Sequence, residues 1–291
     1  MSRIGQLLFI FFMTGCATLS GKNRPQPVKL DSPVLLELSG SVNRLEVIRY
    51  HFASHKESSV IGKAEKPEIK DEKVEFAVQT TTREVFPTGD VGYLIETVSR
   101  VGDIKLHDLA FPEPGEKLEQ ILTRNARVVK AGEYSPDSIF YLPPIPLPVE
   151  PVKVGDTWTM RHQWASDSTG VPLELDMVAI LKGIYVCGEN DQCADIEISG
   201  QVSLPQRIPK LTLDSEITGH LIFAVQHGSI VWSEIRTTEK VAAEKGRSYV
   251  VSCMKSFIEK PAAYGWKWDS QLQCDPKSSY ENRIPGILAQ E

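Results

Sequence analysis

The sequence predicts a mainly β protein, with long antiparallel strands in curved sheets (a part-barrel or a sandwich) arranged as two related halves. Three observations carry this. Apolar residues recur at every second position through most of the chain, short turn motifs separate these runs, and helical spacing is sparse.

The runs follow in chain order. Val74, Phe76 and Val78 alternate with Glu75, Ala77 and Gln79, and Pro87-Thr88-Gly89-Asp90 then turns the chain into a strand from Val91 to Val101. Leu118, Ile121 and Leu122 fit either a short helix or the start of a strand running to Val129. Trp158, Met160, His162 and Trp164 share one strand face, and Asp167 to Gly170 forms a turn. Val171, Leu173, Leu175 and Met177 alternate with polar or proline neighbours, and Ile196, Ile198 and Val202 continue the pattern. Ile217, Leu221, Phe223 and Val225 mark another strand, and His227-Gly228 turns into Ile230 to Ile235. Long strands joined by tight turns imply an antiparallel meander.

The internal boundary falls at Tyr141 to Pro151, where five of eleven residues are proline. Proline has no amide hydrogen, so this run cannot join a sheet interior and favours extended PPII. It reads as a stiff connector that packs its Leu and Ile side chains, rather than as a docking ligand. "PVKVGDTW" at 151–158 follows directly. With its Pro-rich approach and following strands, it resembles a module in uncharacterised secreted and lipid-anchored bacterial β-proteins. The resemblance implies entry to a second half like the first, and brings no activity or site residue. A faint internal echo fits duplication: Leu122 to Val129 and Ala224 to Val231 share a strand, turn, strand shape. All five tryptophans lie after residue 157, so the halves have diverged. The expected organisation is a signal peptide (1–15), a lipidated tether (16–32), an N-terminal half (33–140), the connector (141–151), a C-terminal half (152–275) and a tail (276–291).

The address comes from the first residues. Arg3 precedes a mainly apolar segment, Ile4 to Gly15, which is a signal-peptide length and too short to span a bilayer. Met13-Thr14-Gly15-Cys16 resembles the lipobox of bacterial lipoproteins. The resemblance implies cleavage before Cys16 and a diacylglyceryl group on its thiol, with a further acyl chain on the new amine. Acyl chains contribute about 0.8 kcal/mol per buried methylene, so such an anchor holds firmly. Ala17 follows the cysteine and leans towards the outer membrane on its periplasmic face. The polar stretch with Pro25 and Pro27 then acts as a tether.

Removing Cys16 turns five cysteines into four: Cys187, Cys193, Cys253 and Cys274. Cys187 and Cys193 flank a turn between two alternating runs, so a disulfide across that hairpin is the simplest pairing. Cys253 with Cys274 remains. Chain entropy gives about 2.5 and 3.5 kcal/mol for loops of these sizes. No C-x-x-C spacing is present, and an oxidising compartment favours disulfides over metal.

A net charge of −6 makes nucleic acid an unsuitable partner. No G-x-S-x-G, H-E-x-x-H, P-loop or Rossmann glycine pattern occurs. No catalytic residue, cofactor or metal ligand is therefore assigned. His51 and His55 on a strand would stand about 13 Å apart, too far for one metal, and read as surface histidines. Glu65 to Lys73 reads as a solvated loop of mixed charge. Tyr264, Trp266 and Trp268 alternate and would form one aromatic face, which either stacks a sugar such as peptidoglycan or packs on the core. The expected role is a lipid-anchored envelope protein that binds a partner or supports the envelope without catalysis. A carrier of a lipid or other apolar ligand is the second expectation, and a cell-wall hydrolase the third.

Overall fold

The computed structural model describes residues 32–61, 66–166, 169–187, 191–260 and 274–276. Cys16, the tether up to residue 31, the aromatic trio Tyr264, Trp266 and Trp268, and the tail from residue 277 lie outside the described residues.

Among the described residues, eleven strands form one antiparallel sheet that does not close. They are β1 (Leu45–Val60), β2 (Glu68–Val85), β3 (Val91–Gly102), β4 (Lys117–Leu122), β5 (Val128–Ala131), β6 (Thr157–Ala165), β7 (Pro172–Cys187), β8 (Asp191–Ser203), β9 (Thr212–Ala224), β10 (Ser229–Ala243) and β11 (Gly246–Lys260). Their spatial order is β5-β4-β3-β2-β1-β11-β10-β9-β8-β7-β6. Two meanders, one on each side of the connector in sequence, are thus joined where β1 pairs with β11.

Alternation dictates which side chains face inward. Leu175, Met177 and Ala179 on β7, Ile196 and Ile198 on β8, and Leu221 and Phe223 on β9 are buried in one cluster with Val91 and Tyr93 of β3. Strands from opposite ends of the order share this cluster, so the sheet curls on itself. Bulges assist the curl by adding local twist, as at Ala77/Val78 in β2, Leu181/Gly183 in β7 and Ile230/Trp232 in β10. Close strand approach assists too: a Cβ at Gly200 would meet the Asp176 carbonyl at 2.4 Å, and one at Gly219 the Glu234 carbonyl at 2.7 Å.

Segments outside the sheet fill one end of the curl. Leu36 and Leu38, just before β1, are buried in the same cluster, as are Ile145 and Leu147 of the Pro-rich connector and Val152 after it. Val34 and Val152 exchange backbone hydrogen bonds of 2.8 Å. The seam between β5 and β6 is bridged by the chain that links them. Ala165 N–H donates to the Asp137 carbonyl at 2.7 Å, and the Trp158 indole donates to the Pro146 carbonyl at 2.8 Å. Prolines withhold the donors that would continue the ladder, so this chain bridges the seam without becoming a strand. Ile145→Val should therefore cost about 1 kcal/mol in urea unfolding, the core value for one lost methylene, whereas a connector lying on the surface would leave the midpoint unchanged.

The two turns of the echo meet at this filled end. Leu38 N–H donates to the Arg124 carbonyl at 2.7 Å, and the neighbouring Ser39 N–H to the Gly228 carbonyl at 3.2 Å. Ala126 and Gly228 occupy matching places in the two turns, and both adopt positive φ, 63° and 69°.

Three local expectations change. The charged run at 65–73 is a strand from Glu68 onward, because its residues pair with β1 in register from Ser58↔Glu68 to Ala53↔Lys73. Leu118 to Val129 is two strands, β4 and β5, with a turn between. His51 and His55 are buried, at 3% and 7% exposure. The outer face of β1 is covered where they stand, which spacing along one strand does not reveal.

Candidate functional site

Both cysteine pairs lie at disulfide distance on the outer face of the sheet. Cys187 and Cys193 close the β7–β8 hairpin with Cα atoms 5.6 Å apart, packed against Ile222 and Trp232. Cys253 and Cys274, 6.1 Å apart, fasten residues 274–276 over β11.

Beneath that clamp runs a band of polar side chains. Register aligns Glu197 of β8, His220 of β9, Glu234 of β10, Lys255 of β11, His51 of β1 and Glu75 of β2 in one cross-strand row. Glu234 is 1% exposed and sits at the centre. Its Oε1 accepts from Arg236 Nε and Nη2 at 3.0 and 2.9 Å, and its Oε2 faces Lys255 Nζ at 3.2 Å. Arg236 also donates to the Asp275 carbonyl at 3.3 Å. His220 Nδ1 lies 3.4 Å from Asp195 Oδ1.

His51 is fixed from above and from the side. Cys274 N–H donates to its Nδ1 at 3.2 Å, which leaves Nε2 to carry the proton, 3.9 Å from Glu75 Oε1. Burial lowers the His51 pKa; Lys73 and Lys255 push the same way, and Glu75 opposes them. The ring is thus held neutral beneath the clamp.

Two other histidines are engaged by acids. His55 stands between Asp71 at 2.5 Å and Glu57 at 3.1 Å, one at each ring nitrogen. His227 bonds Glu46, which also accepts from Ser229 at 3.3 Å. Arg44 Nε lies 3.4 Å from Glu46 but without hydrogen-bond alignment, so that contact is electrostatic.

The inner face has a different character. Beyond the filled end, inward residues of β6 to β11 are half-buried. Trp164, Leu173, Val202, Leu213, Val241 and Val250 share this stretch of the inner face with Ser215, Thr237 and Ser252. Two ionisable groups lie among them. Burial lowers the His162 pKa, and its Nε2 is buried with no hydrogen-bond partner. Burial raises the Glu239 carboxyl.

Sequence reasoning located the cysteines and the strand face of His162. It missed the cross-strand row, because its members are dispersed from residue 51 to residue 255 and only register brings them together. A weak signal existed: Glu234, Lys255 and His51 each interrupt a strand otherwise rich in apolar residues.

Fold and site define an open, curled antiparallel-sheet protein, filled at one end and clamped by a cysteine pair on its outer face. No known family matches this chain, and no curated protein matches it.

Proposed function

We propose that this protein is a lipid-anchored component of the bacterial cell envelope that works by binding and not by catalysis, and that Cys16 carries the lipid at the outer membrane, facing the periplasm. The observation that carries the reading is the cysteine arithmetic. Four of the five cysteines stand in two pairs at disulfide distance, which suits an oxidising compartment and leaves Cys16, in its lipobox-like context, as the odd one. The partner under this reading is an envelope protein, peptidoglycan or an apolar ligand.

Cys16→Ser should move the protein out of the membrane fraction or leave it with its leader attached. Immunoblots of fractionated cells read both outcomes. Normal processing with retention in the membrane would refute the anchor.

A further inference from the structure

We infer that the seam between β5 and β6 is a latch that acid releases: protonation of His162 parts the end of β6 from the turn at residues 137–141. The inference goes beyond the binding reading above and does not depend on the anchor.

The latch is held unequally on its two sides. The 3-10 turn Ile139–Tyr141 stands between the two strands and touches both β5 and β6. On the β5 side its hold is broad. Phe140 is buried with Leu118 of β4 and Ala131 of β5, and stacks on Tyr134 with ring centroids 3.7 Å apart. Its carbonyl accepts from Gln120 Nε2 at 3.2 Å. On the β6 side, among the described residues, one hydrogen bond crosses to the end of the strand, from Ala165 N–H to the Asp137 carbonyl at 2.7 Å. The start of β6 is fastened better. Leu142 packs against the main cluster, Ile145 and Leu147 are buried in it, and Trp158 donates to Pro146. A part held by few contacts opens at lower cost than the whole unfolds, so the end of β6 is where the curl parts first.

Closing the seam buries polar atoms that it leaves unsatisfied. Ser138 sits directly before the turn, and its Oγ is buried with no hydrogen-bond partner among the described residues. His162 stands on the inner face of β6, between exposed Arg161 and Gln163, and its Nε2 is in the same condition. A buried polar atom without a partner is costly, and water satisfies it once the site opens. One of the two atoms lies on each side of the seam, so a single opening relieves both.

His162 makes the latch sensitive to pH. Its register partner on β7 is Leu175, flanked on the same face by Leu173 and Met177, none of them charged. Glu174 and Asp176 point to the outer face, where they meet Arg161. The ionisable side chains of the turn, Asp137 and Tyr141, add nothing to the shift, because burial alone lowers the His162 pKa. An open seam returns the ring to water and to the ordinary value near about 6.5. As pH falls through that value, the open form takes up a proton that the closed form refuses. The open population then rises by up to about tenfold per pH unit, until the closed value is reached.

The test reads the seam with a thiol. Ser138→Cys in the full chain places a thiol behind the latch, and Ser135→Cys places one at an exposed position just before it, as a reference. The rates of exchange of the two thiols with a pyridyl disulfide are compared at pH 7.5 and 5.5, and their ratio cancels the thiol's own titration. The Ser138→Cys thiol should react far more slowly than the reference, and the ratio should rise by up to about tenfold at the lower pH. His162→Met and His162→Gln each remove the titrating ring, and either one added to both thiol variants should leave the ratio flat. Low urea should change the ratio little, since a local opening exposes little surface. A ratio equal at the two pH values, a pH dependence that survives both His162 variants, or a urea slope equal to that of global unfolding would overturn the inference. Equal rates for the two thiols at pH 7.5 would overturn it as well, because the seam would then not be closed.

Discussion

Glu234→Leu is expected to destabilise the protein by about 3–5 kcal/mol, read as a fall in the urea midpoint at neutral pH. The magnitude comes from what the substitution leaves behind rather than from what it removes. Glu234 is the anion between Lys255, 5% exposed, and Arg236, 8% exposed. Without it, two cations remain in a site that excludes most water. Arg236 keeps the Asp275 carbonyl at 3.3 Å, a neutral acceptor that does not replace the lost charge. A second variant separates this cost from cavity effects. Glu234→Leu combined with Lys255→Met and Arg236→Met removes all three charges and should recover most of the loss, since apolar residues of similar volume replace buried ion clusters without large penalty. A triple variant as unstable as the single one would show that the loss comes from packing.

Most of the fold was legible in the sequence, because its signal is local. Val91 to Val101, the face of Trp158 to Trp164 and the turns at Pro87 and Gly228 depend on period-two alternation and turn chemistry, which a few neighbouring residues define. The Pro-rich connector was legible for the same reason. What was not legible depends on register between distant strands. His51 looked like a surface residue because nothing near it in sequence shows that Lys255 and Cys274 lie beside and above it. The charged run before Val74 looked like a loop because its charges give no apolar period; pairing with β1 makes it a strand while its side chains stay in water.

The clamp makes the second large prediction, and it couples stability to pH. Replacing Cys253 and Cys274 together by alanine should cost about 3.5 kcal/mol from the restored freedom of the unfolded chain. It should also change the acid limb of the stability curve. His51 is held neutral in the native protein, chiefly by burial, so its pKa lies below the ordinary 6.5. As pH falls through about 6.5 the unfolded chain takes up a proton that the folded chain refuses. The His51 contribution is therefore intact above that pH and is lost below it, at up to about 1.4 kcal/mol per pH unit, until the folded value is reached. Unclamping residue 274 removes the amide on Nδ1 and opens the ring to water. His51 then titrates nearly alike in both states, and its part of the slope vanishes. His162 also has a lowered pKa and contributes with the same sign, but it lies on the inner face of β6 and is common to both proteins, so it cancels in the comparison. The measurement is urea unfolding of the native and double-alanine proteins at pH 7.5 and 5.5. The expected result is a large stability gap at pH 7.5 that narrows at pH 5.5. A gap of equal size at both values would mean that the clamp stabilises through chain entropy alone and does not hold His51 neutral.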